Sequence, residues 1–384
     1  MEAGREGELY HEPMVSFVVP CYKLAHLLSE CVNSILSQTY GDFEILVMDD
    51  CSPDETEKVA RSFSDSRVRY VRNETNLGNL RNYNKGIELA KGKYIWLISA
   101  DDRLRRPYVL DRYVSFLEVH PKVGYVFCPA IRLERGQEGE IIGYSYRGPE
   151  DQVYEGRRFL AEIIISGSTV VAPSGMARKE CYEKVSFFPL DLPWGGDWYL
   201  WALFALHYDV AYFAEAMVNY RQHELSMTNA LVSQQVRNCA DSDVEVPRRI
   251  LKKVEEAAAT SLVRTCRTAI AMQYAKNLAS RKYRSLASWH QYTMTLEEFK
   301  KSLRVVARDA QEAKFIRVGA YVAAADLCYW QDDFAQALNF YRLALGEDPS
   351  LVTVWTKYLL LRLGHVGIRF RASLLAFRQA LRRN

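Results

Sequence analysis

The sequence predicts an α/β fold with a mostly parallel central sheet and helices on both faces, followed by an all-α domain. Two observations support this prediction. Through the first half of the chain, apolar runs rich in Val and Ile alternate with segments whose apolar residues recur at helical spacing. From about Asp241 onward the strand patterns fade, and Ala, Leu, Lys and Arg recur in long helical patterns. Strands that alternate with helices are typical of a parallel sheet with two covered faces.

The first half begins with three predicted strands and two predicted helices. Residues 15–22, 43–50 and 68–73 are apolar runs that predict strands, and residues 26–38 and 54–63 carry the helical pattern between them. In an open parallel sheet, ligands bind beyond the carboxyl ends of the strands. The residues that end these strands are therefore the first candidates for a binding site.

The next elements continue this alternation and then become mixed. Residues 80–92 predict a helix closed by Gly92, and residues 93–102 predict a buried strand that ends in Asp101 and Asp102. The later predicted elements are a strand over 123–133, a hairpin arm over 138–148, a strand, glycine turn and short helix over 168–185, a glycine turn and helix over 194–206, and a strand over 210–223.

Composition limits the class of protein. The chain has 384 residues, of which 49% are hydrophobic and 25% charged, so we expect two soluble domains. A net charge of +3 is too small to indicate nucleic-acid binding. The eight cysteines form no CxxC pair, no apolar run is long enough to span a bilayer, and the polar N-terminus does not resemble a signal peptide. These features predict a cytoplasmic protein.

The predicted domain limits follow from the change of pattern. Residues 1–13 form a polar tail, residues 14–235 the α/β domain and residues 236–384 the helical domain. The segment near 318–350 resembles one tetratricopeptide repeat, which is a pair of packed helices. The residues at that repeat's positions are Tyr321, Ala325, Ala337, Tyr341, Ala344 and Pro349. Such pairs need stacking partners, so we expect neighbouring helices, the first domain, a protein partner or a second copy to cover this one.

The last predicted helix, residues 361–384, is basic and amphipathic. It contains six Arg residues and no acidic residue, and its apolar surface comes from Leu374, Leu375, Phe377 and Leu381. A helix of this kind lies either on an anionic membrane surface or, as a solvated terminal helix, on its own domain. The sequence leaves both interpretations open.

The adjacent carboxylates of Asp101 and Asp102 carry the strongest chemical signal in the sequence. Capping of the following helix explains one Asp, since Asp is a good N-cap. A divalent cation explains both, because its charge relieves the repulsion between the carboxylates and it prefers oxygen ligands. We therefore expect a Mn²⁺ or Mg²⁺ ion that holds a diphosphate.

Residues 15–56 and 76–104 together resemble the nucleotide-sugar-binding half of family 2 inverting glycosyltransferases, which have the GT-A fold. The resemblance extends over residues 15–228. It implies a metal-dependent enzyme that moves a sugar from a nucleotide-diphosphate sugar, most often a UDP-sugar, to an acceptor hydroxyl with inversion. The family often has a further Asp two residues before this pair, and Ser99 occupies that position here, so one metal ligand or ribose contact is expected to be weaker or missing.

The resemblance assigns the donor-binding residues one by one. Pro20 and Tyr22 match the loop that lines the nucleotide base, and Asp50 matches the residue that hydrogen-bonds the uracil ring. Asp101 matches the ribose contact and Asp102 the metal ligand. Helix capping is the alternative role for Asp50.

Two further donor-site residues come from the same resemblance. Arg81 is expected to reach the diphosphate, or alternatively to form a surface salt bridge, because Tyr83 occupies the position where the family commonly has Arg. His223 matches a histidine that completes the metal site, although a lone His is often structural.

The acceptor side is assigned from two glycine-containing motifs. Asp197 matches the catalytic base that removes the acceptor proton, and Gly196 replaces the family's frequent Glu. Gly175 matches a loop beside the acceptor, and Trp194 and Trp198 flank the base. Trp198 is compatible with either a sugar contact or the core. Asp191 is the alternative base.

The expected function is hexosyl or N-acetylhexosaminyl transfer in cell-surface polysaccharide, glycolipid or protein glycan synthesis, with a glycan, lipid-linked or protein acceptor. The expected location is the cytoplasm, including the inner face of the membrane. The alternative is a nucleotide-sugar-binding or scaffold protein with a degenerate site, which the departures at Ser99, Tyr83 and Gly196 keep open. A dehydrogenase is disfavoured because no GxGxxG follows the first strand.

Overall fold

The computed structural model describes residues 12–286, 288–364 and 367. It divides into two compact units, with the division between His223 and Glu224. The domain limit expected after residue 235 corresponds to the junction of two helices inside the second unit. Most of the predicted polar tail and of the basic C-terminal helix lies outside the described residues.

The first unit alternates strands and helices in the order that the sequence predicts. Its strands are β1 (Val15–Cys21), β2 (Phe43–Asp49), β3 (Val68–Arg72), β4 (Tyr94–Leu97), β5 (Arg103–Leu104), β6 (Val123–Phe127), β7 (Ala130–Glu134), β8 (Gln137–Ile141), β9 (Gln152–Tyr154), β10 (Met176–Arg178), β11 (Asp209–Tyr212) and β12 (Val218–Arg221). Its α-helices are α1 (Ala25–Leu36), α2 (Thr56–Arg61), α3 (Asn79–Leu89), α4 (Val109–Val119), α5 (Gly156–Ser166), α6 (Lys179–Val185) and α7 (Gly196–His207).

The main sheet of the first unit has eight strands in the order β3-β2-β1-β4-β10-β6-β11-β9. Strand β1 pairs in parallel with β2 and β4, β2 with β3, and β6 with β11. Strand β10 is antiparallel to both β4 and β6, and β9 is antiparallel to β11. The predicted α/β class is confirmed, and the parallel strands β1 to β4 are those with the clearest helix–strand alternation.

Both faces of this sheet are covered, since every residue of β1 is buried. On one side a run of stacked rings joins Phe17 to Trp96, Trp96 to Tyr113 and Tyr113 to Phe213, with centroid distances of 5.3, 5.0 and 5.3 Å. Such stacking adds about 0.5–1.5 kcal/mol per pair beyond the burial of apolar area. It connects the sheet firmly to helix α4.

Several predicted strands differ in detail from the observed ones. Residues 123–133 and 210–223 are each two strands, because the chain leaves the main sheet and enters a second sheet. Pro129 marks the first break, since it has no N–H for a ladder bond. The strand predicted over residues 93–102 is shorter in the structure, because β4 ends at Leu97. Residues 168–171 do not form the predicted strand.

The second sheet has four strands in the order β5-β12-β7-β8. Strands β5 and β12 are antiparallel, with Leu104 opposite Val218 and Arg103 opposite Asn219. Because the two strands run in opposite directions, the residues just before β5 lie beside those just after β12. This pairing places the Asp101–Asp102 turn next to residues 221–223.

The second unit is helical, as predicted, and it also contains a β-hairpin that the sequence pattern does not predict. Its elements are α8 (Met227–Gln234), α9 (Val236–Glu256), α10 (Val263–Leu278), β13 (Arg281–Arg284), β14 (Trp289–Tyr292), α11 (Leu296–Val306), α12 (Ala310–Trp330), α13 (Phe334–Glu347) and α14 (Val352–Arg362). Among the described residues, no helix of either unit is long and apolar enough to cross a membrane.

Helices α12 and α13 form the helical pair expected near residues 318–350. The residues that face each other in this pair are buried, as small and aromatic residues at those positions require: Tyr321, Ala325, Ala337, Tyr341 and Ala344. The pair agrees with the predicted helices, and its membership of the tetratricopeptide class stays a prediction.

Candidate active site

The loops that follow β1 and β2 are held against each other at one edge of the main sheet. Lys23 and Cys51 adopt positive φ angles of 58° and 59°, which are uncommon for non-glycine residues. The Lys23 amide donates to the Ser52 hydroxyl at 3.1 Å and joins the two loops. Tyr22 is 37% exposed at this edge, whereas Pro20 is buried within β1. Of the two residues assigned to the nucleotide base, Tyr22 therefore has the accessible side chain.

Asp50, the residue assigned to the uracil ring, already has three partners in the protein. Its carboxylate accepts hydrogen bonds from Asn73 Nδ2 at 2.9 Å, from the Leu77 amide at 2.7 Å and from the Gly78 amide at 2.9 Å. It is only 2% exposed. Asp50 thus fixes the loop that leads into α3, and its contact with a base stays a prediction.

Asp101 and His223 meet through the pairing of β5 with β12. The His223 Nε2 atom lies 2.8 Å from Asp101 Oδ2. The other carboxylate oxygen, Asp101 Oδ1, is buried and makes no hydrogen bond with any described residue. A buried, unbonded carboxylate oxygen is costly and needs an explanation such as an ion or a ligand. The structure therefore brings together two residues that the sequence places in the donor site.

Asp102 is more deeply buried than Asp101 and has a different partner. It is 4% exposed, and its Oδ1 accepts a hydrogen bond from the Arg221 amide at 2.8 Å. Burial raises the pKa of Asp102 well above its usual value, and the nearby charge of Asp101 raises it further. The Arg221 guanidinium donates to the Asp101 carbonyl at 2.7 Å and pairs with Glu30. These contacts fix the turn that carries both acids.

Tyr83 lies among the candidate acids. Its ring is half-buried and packs edge-on against Phe188, with centroids 5.6 Å apart. Burial raises the pKa of Tyr83 well above its usual value, and the charges of Asp101, Asp102 and Asp197 raise it further. All three carboxylates are thus close enough to act on one hydroxyl group. Sequence reasoning treats Tyr83 only as a departure from the family, and no signal in the pattern marks it as a central residue.

The residue after Tyr83 connects α3 to the loop that precedes α7. Asn84 Nδ2 donates to the Phe188 carbonyl at 2.9 Å, and Asn84 Oδ1 accepts from the Phe188 amide at 2.9 Å. This paired contact fixes Phe188, which begins the segment that leads to Asp197.

Asp197 lies in the first turn of α7. The helix begins after Gly195, whose φ of 78° is left-handed and so favours glycine. Asp197 Oδ1 accepts a hydrogen bond from the Trp198 amide at 2.8 Å. Burial raises the pKa of Asp197, although the backbone amides lower it. The N-cap of α7 is Gly195, and the hydrogen bond from the Trp198 amide orients the Asp197 carboxylate in the first turn, which is compatible with the expected role as base.

The other acceptor-side residues divide into core and surface. Trp198 is 4% exposed and its indole N–H donates to the Ile163 carbonyl at 3.0 Å, so of its two possible roles the core one is observed. Gly175 lies against Trp201, where a Cβ atom would approach Cη2 to 2.6 Å. Trp194 is half-buried in the turn before α7.

Arg81 lies in the first turn of α3 with an exposed side chain. It forms no ion pair with any described residue, so the alternative of a surface salt bridge is not observed there. A cation at a helix N-terminus is unfavourable unless an anion is present, because the N-terminal end of the helix dipole is itself positive. This location is consistent with the diphosphate contact expected for Arg81.

Tyr144 and Arg132 are absent from the sequence prediction. Tyr144 lies within electrostatic range of both Asp197 and Arg132. The Tyr144 side chain is 58% exposed. Both residues come from the region around β7 and β8, whose pairing in the second sheet the sequence pattern does not predict.

The donor atoms at this site fit a divalent cation only in part. Among the described residues, no group of three or more His, Cys, Asp or Glu side chains has the arrangement of a complete metal site. Asp101 Oδ1, the Asp102 carboxylate and the His223 imidazole are nevertheless suitable oxygen and nitrogen donors for Mn²⁺ or Mg²⁺. A cation that keeps water and diphosphate oxygens in its coordination sphere needs few protein ligands.

Comparisons with known proteins concern the family and the fold of the chain. Residues 16–167 match the family model for glycosyl transferase family 2. An uncharacterized glycosyltransferase of Rickettsia typhi is 28% identical over 231 residues, which cover 58% of this chain and 69% of the relative. An uncharacterized glycosyltransferase of Haemophilus influenzae is 29% identical over 223 residues, covering 55% of this chain and 66% of the relative.

Among solved structures, the chain is similar to S. aureus TarS 1-349. The complex of that protein with UDP aligns with a TM-score of 0.54 and 15% identity over 86% of this chain and 89% of TarS 1-349. The complex with UDP-GlcNAc gives a TM-score of 0.54 and 17% identity over 91% and 92%. At such identities the likeness shows the fold alone, which is of the GT-A type. Residues 16–167 thus match the glycosyl transferase family 2 model within a domain that has a GT-A-type fold.

Proposed function

We propose that this protein transfers a sugar from a UDP-sugar to an acceptor hydroxyl in one displacement that inverts the anomeric carbon. The observation that supports this most is the position of Asp197 relative to Asp101 and Asp102, since all three act on the pKa of Tyr83. A direct displacement needs a base close to the donor, and all three carboxylates lie within electrostatic range of the same tyrosine.

In this proposal Asp197 is the base. It accepts the proton of the acceptor hydroxyl as that oxygen attacks the anomeric carbon, on the face opposite the leaving diphosphate. The raised pKa of Asp197 makes it a stronger base than an exposed Asp, and the Trp198 amide keeps its second oxygen oriented. Asp191 is the alternative base, and it is exposed.

The donor side is proposed to hold UDP. Tyr22 lines the base, Asp50 fixes the loop beside it, Asp101 contacts the ribose, and Arg81 donates to the diphosphate. Asp102 and His223, with the free oxygen of Asp101, would hold a Mn²⁺ or Mg²⁺ ion. When bound, such an ion stabilises the negative charge of the departing diphosphate.

The sugar is proposed to be a hexose or N-acetylhexosamine, and the acceptor a glycan, a lipid-linked glycan or a protein, in cell-surface polysaccharide, glycolipid or glycoprotein synthesis. UDP and UDP-GlcNAc complexes of a protein with the same fold support a uridine donor. We also propose a cytoplasmic location, with peripheral membrane contact at the inner face through the basic C-terminal helix predicted over residues 361–384.

The test of this function is Asp197→Asn, which keeps the size of the side chain and removes the base. UDP binding should be unchanged, and UDP release from a panel of UDP-sugars with Mn²⁺ should fall by about 10²–10⁴-fold. Asp191→Asn is the matched control, because it neutralises a carboxylate six positions earlier in the chain that is the alternative base. Full activity of Asp197→Asn would show that Asp197 is not the base. Loss of activity in Asp191→Asn alone would assign the base to Asp191.

A nucleotide-sugar-binding or scaffold protein with a degenerate site is the second candidate. Ser99, Tyr83 and Gly196 favour it, since each replaces a residue that the resemblance leads one to expect. Melting curves with UDP, with and without Mn²⁺, distinguish the two. The transferase predicts stabilisation by UDP that depends on Mn²⁺, whereas stabilisation that does not respond to Mn²⁺, without turnover of any UDP-sugar, supports the second candidate.

A further inference from the structure

The β13–β14 hairpin of the second unit presents one face to solvent. Arg284 pairs with Trp289 and Lys282 with Gln291, and all four side chains are exposed. The intervening Tyr283 belongs to the opposite face and is 6% exposed. This strict alternation separates a buried aromatic face from an outer face that carries two cations and an exposed Trp.

Hydrogen bonds join the described residues on the two sides of the hairpin turn. The Ser285 amide donates to the Ser288 carbonyl at 2.9 Å, and the Ser288 amide donates to the Ser285 hydroxyl at 3.1 Å. The Leu286 amide donates to Asn229 Oδ1 at 2.9 Å. Leu286 is nevertheless 39% exposed. An apolar side chain is therefore exposed next to the tip of the hairpin.

The inner face of the hairpin is anchored to helix α9. The buried carboxylate of Asp243 pairs with Arg281 at 2.7 Å and accepts from the Tyr283 hydroxyl at 2.6 Å. Arg281 also donates to Gln273 at 2.6 Å. The one cation of β13 that points inward is thus neutralised within the protein.

The two outward cations have no such partner. Neither Lys282 nor Arg284 forms an ion pair with any described residue, and the outer face of the described hairpin contains no Asp or Glu. The Arg284 guanidinium lies 5.9 Å from the centre of the Trp289 ring. Trp289 is 65% exposed, which is rare for a side chain of this size. Such a combination of cations and aromatic surface fits a partner that is both anionic and apolar.

We propose that this outer face docks on an anionic membrane surface. The order of its side chains from the tip is Leu286, then Trp289 with Arg284, then Lys282. Successive residues on one face of a strand are about 7 Å apart, so this order matches the depth order of a bilayer: acyl boundary, interface and headgroups. Trp favours the membrane interface, and Arg and Lys extend their charged ends toward anionic headgroups.

This inference is independent of the transferase proposal, because it rests on surface residues of the second unit alone. A soluble polyanion would use the two cations but would not need Leu286 at the tip of the turn. The apolar tip therefore favours a lipid surface over a soluble anionic polymer.

The experiment is sedimentation of the full chain with phosphatidylcholine vesicles, with and without phosphatidylglycerol. We expect binding to the anionic vesicles and about 10- to 30-fold weaker binding for the Lys282→Gln/Arg284→Gln double variant, since each cation near such a surface contributes about 1 kcal/mol. Trp289→Ser should weaken binding at both low and high salt, because its contribution is apolar. Unchanged melting temperatures verify that the variants remain folded.

The matched control is Lys300→Gln/Lys301→Gln, which removes two exposed cations from α11 in the same unit. The inference is overturned if the hairpin double variant binds as the native chain does, or loses no more binding than the α11 control. Because the full chain is used throughout, any contribution of residues 368–384 is the same in every variant. Capture of the native chain by dextran sulfate without binding to anionic vesicles would also overturn it and assign the face to a soluble polyanion.

Discussion

The imidazole Nε2 of His223 lies 2.8 Å from Oδ2 of Asp101, although 122 positions separate them in the chain. The contact follows from the antiparallel pairing of β5 with β12, which turns the ends of two short strands toward each other. It leaves Asp101 Oδ1 buried and without a hydrogen bond to any described residue. The donor side of the proposed site is therefore built by the second sheet as much as by the first.

We predict that His223→Ala weakens the Mn²⁺-dependent binding of UDP by about tenfold or more, because ligands of a metal site and their partners contribute on that scale. Isothermal titration of UDP with and without Mn²⁺ measures the effect. His26→Ala, an exposed histidine on α1, is the control and should bind like the native chain. Equal Mn²⁺ dependence in His223→Ala would make the histidine structural.

A second prediction concerns the pH dependence of stability. Burial raises the folded-state pKa of Asp197, so the native state disfavours its ionised form. Below the unfolded-state pKa the carboxyl is neutral in both states, so its burial as a charged group costs no stability. As the pH rises from there through the raised folded-state pKa, the free energy of unfolding decreases. Asp197→Asn lacks this loss. Its melting temperature should therefore exceed that of the native chain by a margin that grows with pH across the acid range and then levels off.

The corresponding activity prediction has the opposite sign, since the base must be ionised. The kcat/KM for UDP-sugar turnover should rise with pH through a pKa above the usual value for Asp. Parallel melting curves of the native chain and Asp197→Asn at every pH would contradict the stability prediction. If kcat/KM instead rises through the usual pKa of an exposed Asp, the activity prediction is contradicted.

A third prediction concerns the close approach of Gly175 to Trp201. An alanine Cβ would lie 2.6 Å from Trp201 Cη2, so Gly175→Ala must move the indole or the backbone. We expect a loss of about 1–3 kcal/mol in the free energy of unfolding, as for other overpacked sites. Urea denaturation measures it. Gly143→Ala, where no atom lies within 4 Å of the new Cβ, is the control and should change stability little.

The paired hydrogen bonds between Asn84 and Phe188 give a fourth prediction. Asn84→Ala removes both bonds to the Phe188 backbone and should cost about 1–3 kcal/mol of stability. Because residues 188–196 lead to Asp197, turnover of UDP-sugars should fall further than UDP affinity. Asn33→Ala, on the exposed side of α1, is the control. Native turnover in Asn84→Ala would show that this loop does not position the base.

The sequence predicts those parts of the fold that local pattern determines. Apolar runs ending in Asp50 and Asp102 reveal the strands, because a buried parallel strand must be apolar throughout and polar where it leaves the sheet. The splitting of residues 123–133 and 210–223 is not predictable in this way. There the chain passes between two sheets without losing its apolar character, so the strand pattern does not change.

The chemical site is predicted only in part. The adjacent carboxylates identify Asp101 and Asp102 as candidates, and the family resemblance adds Asp197 and His223. The structure brings Asp101, Asp102 and His223 together. The three hydrogen bonds that Asp50 accepts from Asn73, Leu77 and Gly78 are invisible in the sequence, because backbone amides carry no residue signal. The central position of Tyr83 depends on the packing of α3, which no pattern specifies.

The most direct test of the proposed function is the configuration of the sugar that the protein first releases. The native chain with Mn²⁺ and UDP-GlcNAc or UDP-glucose is followed by proton NMR at the anomeric signals, with Asp197→Asn as the control. Single displacement on an α-linked donor predicts the β-anomer first, formed only slowly by Asp197→Asn. Release of the α-anomer first, or equal rates in the two proteins, would contradict a displacement in which Asp197 removes the acceptor proton.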